Sequence, residues 1–230
     1  MAAEAPRPLT VHLQAVPQRQ AYIEQVILPA IERGGSQVEQ VAVWYDHHRH
    51  GPLWNATRIW NAVAVGPEMG LVLQDDVLLH ADFWEHIPDI LRHMENGVME
   101  AVSLFAPPRK STLEALSGGF NFIETYNFLW MPGMVLSPQF CRGLLGWMGE
   151  HPSATVHDDV VLGCYARECR IPIWVTVPSL VQHDLNVKSA MGTPAAIAGM
   201  KRRSPAWRRA VAPRWYLPRR GVKEGLSHGD

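Results

Sequence analysis

The chain has 230 residues, of which 47% are apolar and 19% charged, and a net charge of −1 at neutral pH. These are ordinary globular proportions, and a chain of this length buries enough surface to need no disulfide or structural metal. They exclude a membrane-spanning protein, because no run approaches the roughly 18 apolar residues that would cross a bilayer. The three cysteines, Cys141, Cys164 and Cys169, are odd in number and lack C-x-x-C spacing. They predict neither a disulfide framework nor a zinc ribbon and read as reduced thiols in a cytoplasmic protein. Residues 1–8 lack the apolar segment of a signal peptide. The small net charge hides an asymmetry. Residues 201–223 hold nine basic and no acidic side chains, whereas the first 200 residues hold 12 basic and 20 acidic ones, a net of −8.

Residues 9–16 alternate as a strand, and residues 20–33 place Tyr22, Val26, Ile27 and Ala30 on one helical face before Gly34-Gly35 stops the helix. Residues 38–45 form a second strand ending at Asp46. A strand–helix–strand unit of this kind predicts a parallel sheet covered by helices. A His-rich polar loop (His47, His48, His50) precedes a helix over 53–64. A short apolar strand from Gly70 then runs into Gln74-Asp75-Asp76. A helix over 82–96 and a strand over 98–105 follow. Residues 106–121, rich in Pro, Ser and Gly, read as a mobile loop. A strand over 128–136, a helix over 138–149, a helix from Asp158 through Ala166, a strand over 171–177 and a loop over 178–192 complete the body. The predicted fold is α/β, one domain over 1–192 with a mostly parallel central sheet flanked by helices, plus a basic, aromatic extension over 193–230. Trp54, Trp60, Trp130 and Trp174 are expected in the core, with Trp130 having the best case for a functional role.

Three places invite chemistry. Two adjacent carboxylates, Asp75 and Asp76, end a buried strand, where they repel each other unless a cation lies between them. A divalent ion shared with substrate phosphates would serve, and strand ends are where open α/β sheets bind ligands. The same pair would also serve as a turn or a helix cap. Asp158-Asp159-Val-Val-Leu162 opens a helix. A carboxylate fixed there can act as a general base, or can simply cap the helix. His183, just beyond a strand, suits a metal ligand or a hydrogen-bonded structural histidine.

In order and spacing these segments resemble glycosyltransferases of the GT-A fold, over roughly residues 9–190. The resemblance implies a nucleotide-sugar donor, with UDP the expected nucleotide, and Mn²⁺ or Mg²⁺ as cofactor. It implies a nucleotide-binding half carrying Gln14, Arg19 and Asp46. Gln74-Asp75-Asp76 looks like the family's Asp-x-Asp motif with Gln in place of the first acid, and Asp76 matches the metal-binding position. His183 matches the family's late metal ligand. Asp158-Asp159-Val-Val-Leu162 is similar to the Glu-Asp-x-x-Leu segment of inverting members, which makes Asp159, supported by Asp158, the expected catalytic base of an inverting, hexosyltransferase-like enzyme. Asn121, Tyr126 and Trp130 are expected on the acceptor side.

The extension interleaves basic and aromatic residues, including Arg202, Arg203 and Trp207. That pattern suits a polyanion whose bases stack, such as DNA carrying a hydroxymethylated base, the modification of a phage-type enzyme acting in the host cytoplasm. An anionic membrane carrying a lipid or glycan acceptor fits the same residues less well, and a lid over the donor diphosphate or a solvated arm is also consistent with them. Two rival classes remain. A nucleotidyltransferase usually carries a Gly-rich loop after its first strand, whereas Val16-Pro17-Gln18-Arg19 has no glycine. A nucleic-acid-binding protein without activity would use its acidic pairs only as caps. G-x-S-x-G and G-x-G-x-x-G are both absent.

Overall fold

The computed structural model describes residues 7–128, 130–152, 157–184, 186–187 and 204, and the backbone of residues 222–223. Ten strands are described: β1 (Leu9–Ala15), β2 (Val38–Tyr45), β3 (Gly70–Gln74), β4 (Val77–Leu79), β5 (Ala101–Ser103), β6 (Phe122–Thr125), β7 (Gly133–Leu136), β8 (Ile173–Thr176), β9 (Val181–His183) and β10 (Val222–Lys223). Eight form one sheet in the order β10-β6-β8-β5-β7-β3-β1-β2, and β4 pairs with β9 in a separate two-stranded ribbon. β1, β2, β3, β5 and β8 run one way, and β6, β7 and β10 run the other. The sheet is thus mixed with a parallel majority, and the parallel strands end at the edge that carries Ala15, Tyr45 and Gln74.

Helices cover both faces: α1 (Gln20–Tyr22), α2 (Leu28–Glu32), α3 (Pro52–Val65), α4 (Phe83–Glu95), α5 (Lys110–Gly118), α6 (Pro138–Glu150) and α7 (Asp158–Glu168). Between α1 and α2 the helix widens to a π-turn over Ile23–Ile27. Pro29 is the second residue of α2; it lacks an N–H and crowds the carbonyl four residues back, and a wider turn accommodates both defects. Alternation along β1 sends Leu9, Val11, Leu13 and Ala15 toward one core, shared with Ile23, Ile27, Ile31, Phe83, Ile87 and Ile90. The opposite face of the sheet packs Val72 and Met134 against Ala56, Ile59 and Trp60 of α3, Phe140 of α6 and Leu162 of α7. His12 lies in β1, 5% exposed, and accepts the indole N–H of Trp44 at 3.1 Å. Burial pushes its pKa down to about 4, so the ring is neutral where the chain folds at neutral pH.

The expected elements form with three differences. The predicted loop over 106–121 contains α5, whose amphipathic register is short. It buries only Ser111, Thr112 and Ala115, and the flanking Pro107-Pro108 and Gly118-Gly119 mask it in the sequence. Gly119 ends it in the left-handed region, φ 70°, which glycine adopts freely. β6 and β9, four and three residues long, are too brief to stand out by periodicity. Trp60 is fully buried and Trp174 partly so, but Trp54 is 38% exposed. Its ring lies against His50 at a tilt of 35°, with ring centroids 4.4 Å apart, and the Arg58 guanidinium lies 4.7 Å from it. The extension is joined to the body at two described points. β10 adds an edge strand beside β6, and buried Ser204 donates its N–H to Gln182 Oε1 at 2.8 Å. Among the described residues no helix is long and apolar enough to cross a membrane.

Candidate active site

The end of β3 delivers Asp75 and Asp76 into a buried cluster, 7% and 6% exposed. Asp75 is held by its own chain: Oδ2 accepts the N–H of Val16 at 2.7 Å, and Oδ1 accepts from Arg19 Nη1 at 2.5 Å. Arg19 is 8% exposed and closes the short 3₁₀ turn Pro17–Arg19 that follows β1. The same guanidinium lies 3.6 Å from Asp76 Oδ2. A protein cation therefore supplies part of the compensation that two adjacent carboxylates require. Burial nonetheless pushes the Asp75 carboxyl up to about 6; Arg19 opposes the shift and Asp76 adds to it.

His183 reaches Asp76 because β4 and β9 pair antiparallel, with Val77 opposite His183. Its Nδ1 lies 3.1 Å from Asp76 Oδ1. The next residue, Asp184, donates its N–H to the Asp76 carbonyl at 2.7 Å and accepts the Tyr22 hydroxyl on Oδ2 at 2.8 Å. Burial first, then the Asp184 carboxylate, hold Tyr22 well above the usual phenol range. Tyr22 and Asp184 were not singled out from the sequence. Asp184 directly follows His183, which was the available signal, whereas Tyr22 looked like an ordinary residue of the core face.

The second acidic pair meets the same strand ends from α7. Gln14 pairs in register with Gln74, and its Nε2 donates to Asp158 Oδ2 at 3.1 Å and to the Pro52 carbonyl at 2.9 Å. Gln14 thus ties the first turn of α7 to the strand beside the one that bears Asp75. Asp158 is 4% exposed. Burial, reinforced by neighbouring Asp159, pushes its pKa up to about 6. Asp159 is partly exposed, and its Oδ2 accepts the backbone N–H of Trp130 at 3.0 Å. Trp130 holds φ at 68°, a region that costs a bulky residue on the order of 1–3 kcal/mol. The contact from Asp159 helps fix that backbone.

Between pH 4 and neutral pH, Asp158→Asn is expected to gain about 1–3 kcal/mol on the wild type, since one pKa unit corresponds to 1.36 kcal/mol; at every pH it also gives up one bond, because both Asp158 oxygens accept N–H groups, from Gln14 Nε2 and from Asp159, and an amide accepts with only one. The folded carboxyl keeps its proton up to about 6, while the unfolded one loses it near the ordinary aspartate value of 3.8. Between those values the folded state binds more protons, so this residue's contribution to stability falls as pH rises through the window. Urea unfolding of both proteins at pH 4 and pH 7.5 reads it directly. A stability difference that moves toward the Asn variant between pH 4 and pH 7.5 is the expected pattern, and equal pH dependence would contradict it.

The remaining expected site residues scatter more widely. Asp46 sits at the same sheet end, 6% exposed. Its carboxylate accepts the N–H groups of His50 and Gly51, at 3.0 and 2.8 Å, and shapes the loop into α3. Burial opposes its ionisation, but the bonds from Gly51 and His50 outweigh it and hold the pKa below the usual carboxylate value. Gln74 is partly buried and donates its N–H to the Pro132 carbonyl at 2.9 Å. Asn121 and Tyr126 do not form the one surface expected of them, because β6 lies between them. Asn121 precedes Phe122, opposite Thr176 at the site end of β8, whereas Tyr126 follows Thr125, opposite Ile173 at the other end. Four intervening strand residues separate the two by roughly 13 Å or more. Tyr126 donates instead to Glu124 at 2.9 Å. Arg202, Arg203 and Trp207 lie outside the described residues. Among the described residues no group of three or more His, Cys, Asp or Glu side chains is placed to hold a metal ion.

No family model and no curated protein matches the chain. Among solved structures, one similar chain is a Bacillus anthracis protein assigned as a glucose-1-phosphate thymidylyltransferase, in complex with sucrose. It is 8% identical, with a TM-score of 0.43, over 76% of this chain and 89% of that one. Another is a glycosyltransferase involved in the glycosylation of the major capsid of PBCV-1, 13% identical, with a TM-score of 0.45, over 83% of this chain and 96% of that one. At TM-scores below 0.5 these likenesses do not bear on the chemistry of the site, which rests on the residues above.

Proposed function

We propose that the chain is a glycosyltransferase that moves a sugar from a nucleotide-sugar, with UDP the expected nucleotide, to an acceptor hydroxyl with inversion at the anomeric carbon. The observation that carries this reading is the meeting of two acidic pairs at one sheet end. Asp75-Asp76 arrives from β3 and Asp158-Asp159 from α7, and the neighbours Gln74 and Gln14 bring them together. The first pair suits a diphosphate held through a cation. The second suits removal of a proton from the attacking hydroxyl.

The donor chemistry of the first pair fits a divalent ion. Asp76 offers carboxylate oxygen, which suits Mn²⁺ or Mg²⁺ when substrate phosphates complete the shell, and His183 offers imidazole nitrogen, which Mg²⁺ accepts less readily than Mn²⁺. Two buried carboxylates, Asp75 and Asp76, share the guanidinium of Arg19 at 2.5 and 3.6 Å, and buried Asp184 lies alongside, its N–H on the Asp76 carbonyl, an acidic surrounding that suits a further cation. A bound ion would supply neutralisation of the charge that develops on the leaving diphosphate. Asp159 takes the acceptor proton, and Trp130, fixed through Asp159, borders the acceptor. Asp158 and Gln14 hold α7 in register with the strand ends. For the acceptor, the nine basic residues of the extension, interleaved with Trp207 and Trp215, favour a nucleic acid, such as DNA with a hydroxymethylated base.

Thermal unfolding with Mn²⁺ and a panel of nucleoside diphosphates, on the wild type and Asp76→Ala, tests the reading. A ligand of the folded state at a hundredfold excess over its dissociation constant adds about 2.7 kcal/mol. A metal-dependent rise with one nucleotide, absent in Asp76→Ala, is expected. A folded wild type that responds to no nucleotide would sink the transferase reading.

A further inference from the structure

We infer that the groove between α3 and α6 is a second binding site, which takes a single-stranded segment of nucleic acid by stacking a base on Trp54 and pairing a phosphate with Arg58. The inference rests on the nucleic-acid acceptor of the reading above and adds a place on the folded body where the strand lies. The groove has a volume of about 380 Å³, within the size range of ligand sites. His50, Leu53, Trp54, Arg58, Asn61 and Met148 are among the residues that line it. Trp54, Arg58 and Asn61 follow one another at spacings of four and three, so they share one face of α3. The opposite face buries Ala56, Ile59, Trp60 and Val63. Trp54, 38% exposed, is therefore an indole that the core does not use.

The platform is fixed before any ligand arrives. His50 lies 4.4 Å from the Trp54 ring, and the Arg58 guanidinium lies over the rings of both Trp54 and Trp44, at 4.7 and 5.0 Å. Side chains held in this way lose little freedom on binding. Charge selects the ligand. Arg58 Nη1 donates to neutral oxygens, the Tyr45 carbonyl and Asn55 Oδ1, each at 3.4 Å, and no carboxylate lines the groove. Between Asp46 and Glu68 the sequence has two arginines and three histidines but no acid, within a body of net charge −8 over the first 200 residues. An aromatic face beside such a guanidinium suits a base and its phosphate, whereas the hydroxyl groups of a neutral glycan would find no carboxylate there to accept from them.

The groove also begins at the candidate active site. Asp46 accepts the N–H groups of His50 and Gly51, and the Pro52 carbonyl accepts Gln14 Nε2, which also donates to Asp158. Trp54 is two residues beyond Pro52, and Asn61 lies roughly 10 Å further along the helix. A strand in the groove therefore has one end directed toward the Asp158-Asp159 pair.

Fluorescence anisotropy of a labelled oligothymidylate about a dozen nucleotides long, single-stranded or annealed to its complement, tests the inference on the full chain. Trp54→Ala should weaken single-strand binding about 5–150-fold, the usual worth of one stacked base. The duplex should lose far less, because its paired bases offer no free face. Arg58→Gln should lower the salt slope of single-strand binding by about 0.7, the share of one phosphate contact. Asn61→Glu removes no ring and puts a negative charge in the groove; it should weaken binding severalfold, and it keeps the test decisive if Trp54→Ala does not fold. Unchanged single-strand affinity in either folded variant, equal losses on single strand and duplex, or no binding by the wild type overturns the inference. Displacement of the oligonucleotide by cellohexaose overturns it too, by making the groove a glycan site. Each of these outcomes leaves the donor chemistry standing if Mn²⁺ with a nucleoside diphosphate still stabilises the wild type, and a folded wild type that responds to no nucleotide removes the transferase reading whatever the groove binds.

Discussion

Asp159→Asn is expected to lower the rate of sugar transfer about 10²–10⁴-fold, the usual contribution of a positioned general base. Nucleotide binding should be nearly unchanged. The amide is isosteric with the carboxylate, and its oxygen can still accept the Trp130 N–H that Asp159 Oδ2 accepts at 3.0 Å, so the backbone at Trp130 keeps its support. What it loses is the ability to take a proton and, at the start of α7, the second oxygen that accepts the Val160 N–H at 2.8 Å. Single-turnover transfer measured beside nucleotide-induced stabilisation separates the two effects. Full activity in Asp159→Asn with loss in Asp158→Asn would move the base to Asp158, the more buried of the pair. Loss of nucleotide binding together with activity would show that Asp159 is structural.

Gly163→Ala is expected to destabilise the protein by about 1–3 kcal/mol, the usual range for overpacking, although alanine in an exposed helix interior gains up to about 1 kcal/mol over glycine. Gly163 lies in α7, where an added Cβ would fall 2.7 Å from the carbonyl oxygen of Phe128. That neighbour is backbone and cannot rotate aside, so α7 or the 128–132 segment must shift. Asp159 stands one helical turn before Gly163 and is bonded to Trp130 in that same segment. A displacement near 1 Å at a reacting group costs on the order of 100-fold in rate. Gly146→Ala in α6 is the matched control. Nothing lies within 4 Å of its added Cβ, and stabilisation of about 0.5–1 kcal/mol is expected there. Urea unfolding of the two variants should shift in opposite directions from the wild type, and the transfer rate should fall in Gly163→Ala alone. If Gly163→Ala were as stable and as active as Gly146→Ala, α7 would not be clamped to the 128–132 segment.

Much of the architecture was legible in local pattern. Alternation along residues 9–15 and 38–45, and the helical stripe from Phe83 to Met94, announce themselves within a single element. The two acidic pairs were visible for the same reason, as carboxylates abutting an apolar run. By itself the sequence determined an α/β chain with a mostly parallel sheet, begun by the strand–helix–strand unit of β1 and β2, and a short roster of acids at its strand and helix ends. It could not reveal α5, whose stripe is shorter than the proline and glycine pairs around it, nor β9, whose three residues form a strand only because β4 is there to pair with. The separation of Asn121 from Tyr126 was likewise hidden until β6 was placed between them.

Only the tertiary structure decided how the acids are used. Arg19 meets Asp75 from 56 positions away, His183 meets Asp76 from 107, Gln14 meets Asp158 from 144, and Tyr22 meets Asp184 from 162. Periodicity and capping act over one helical turn or one strand, so they set where a carboxylate stands in its own element. Which charge it faces, how deeply water is excluded from it, and therefore whether its proton leaves near pH 4 or near pH 6 depend on segments that the sheet order alone brings together.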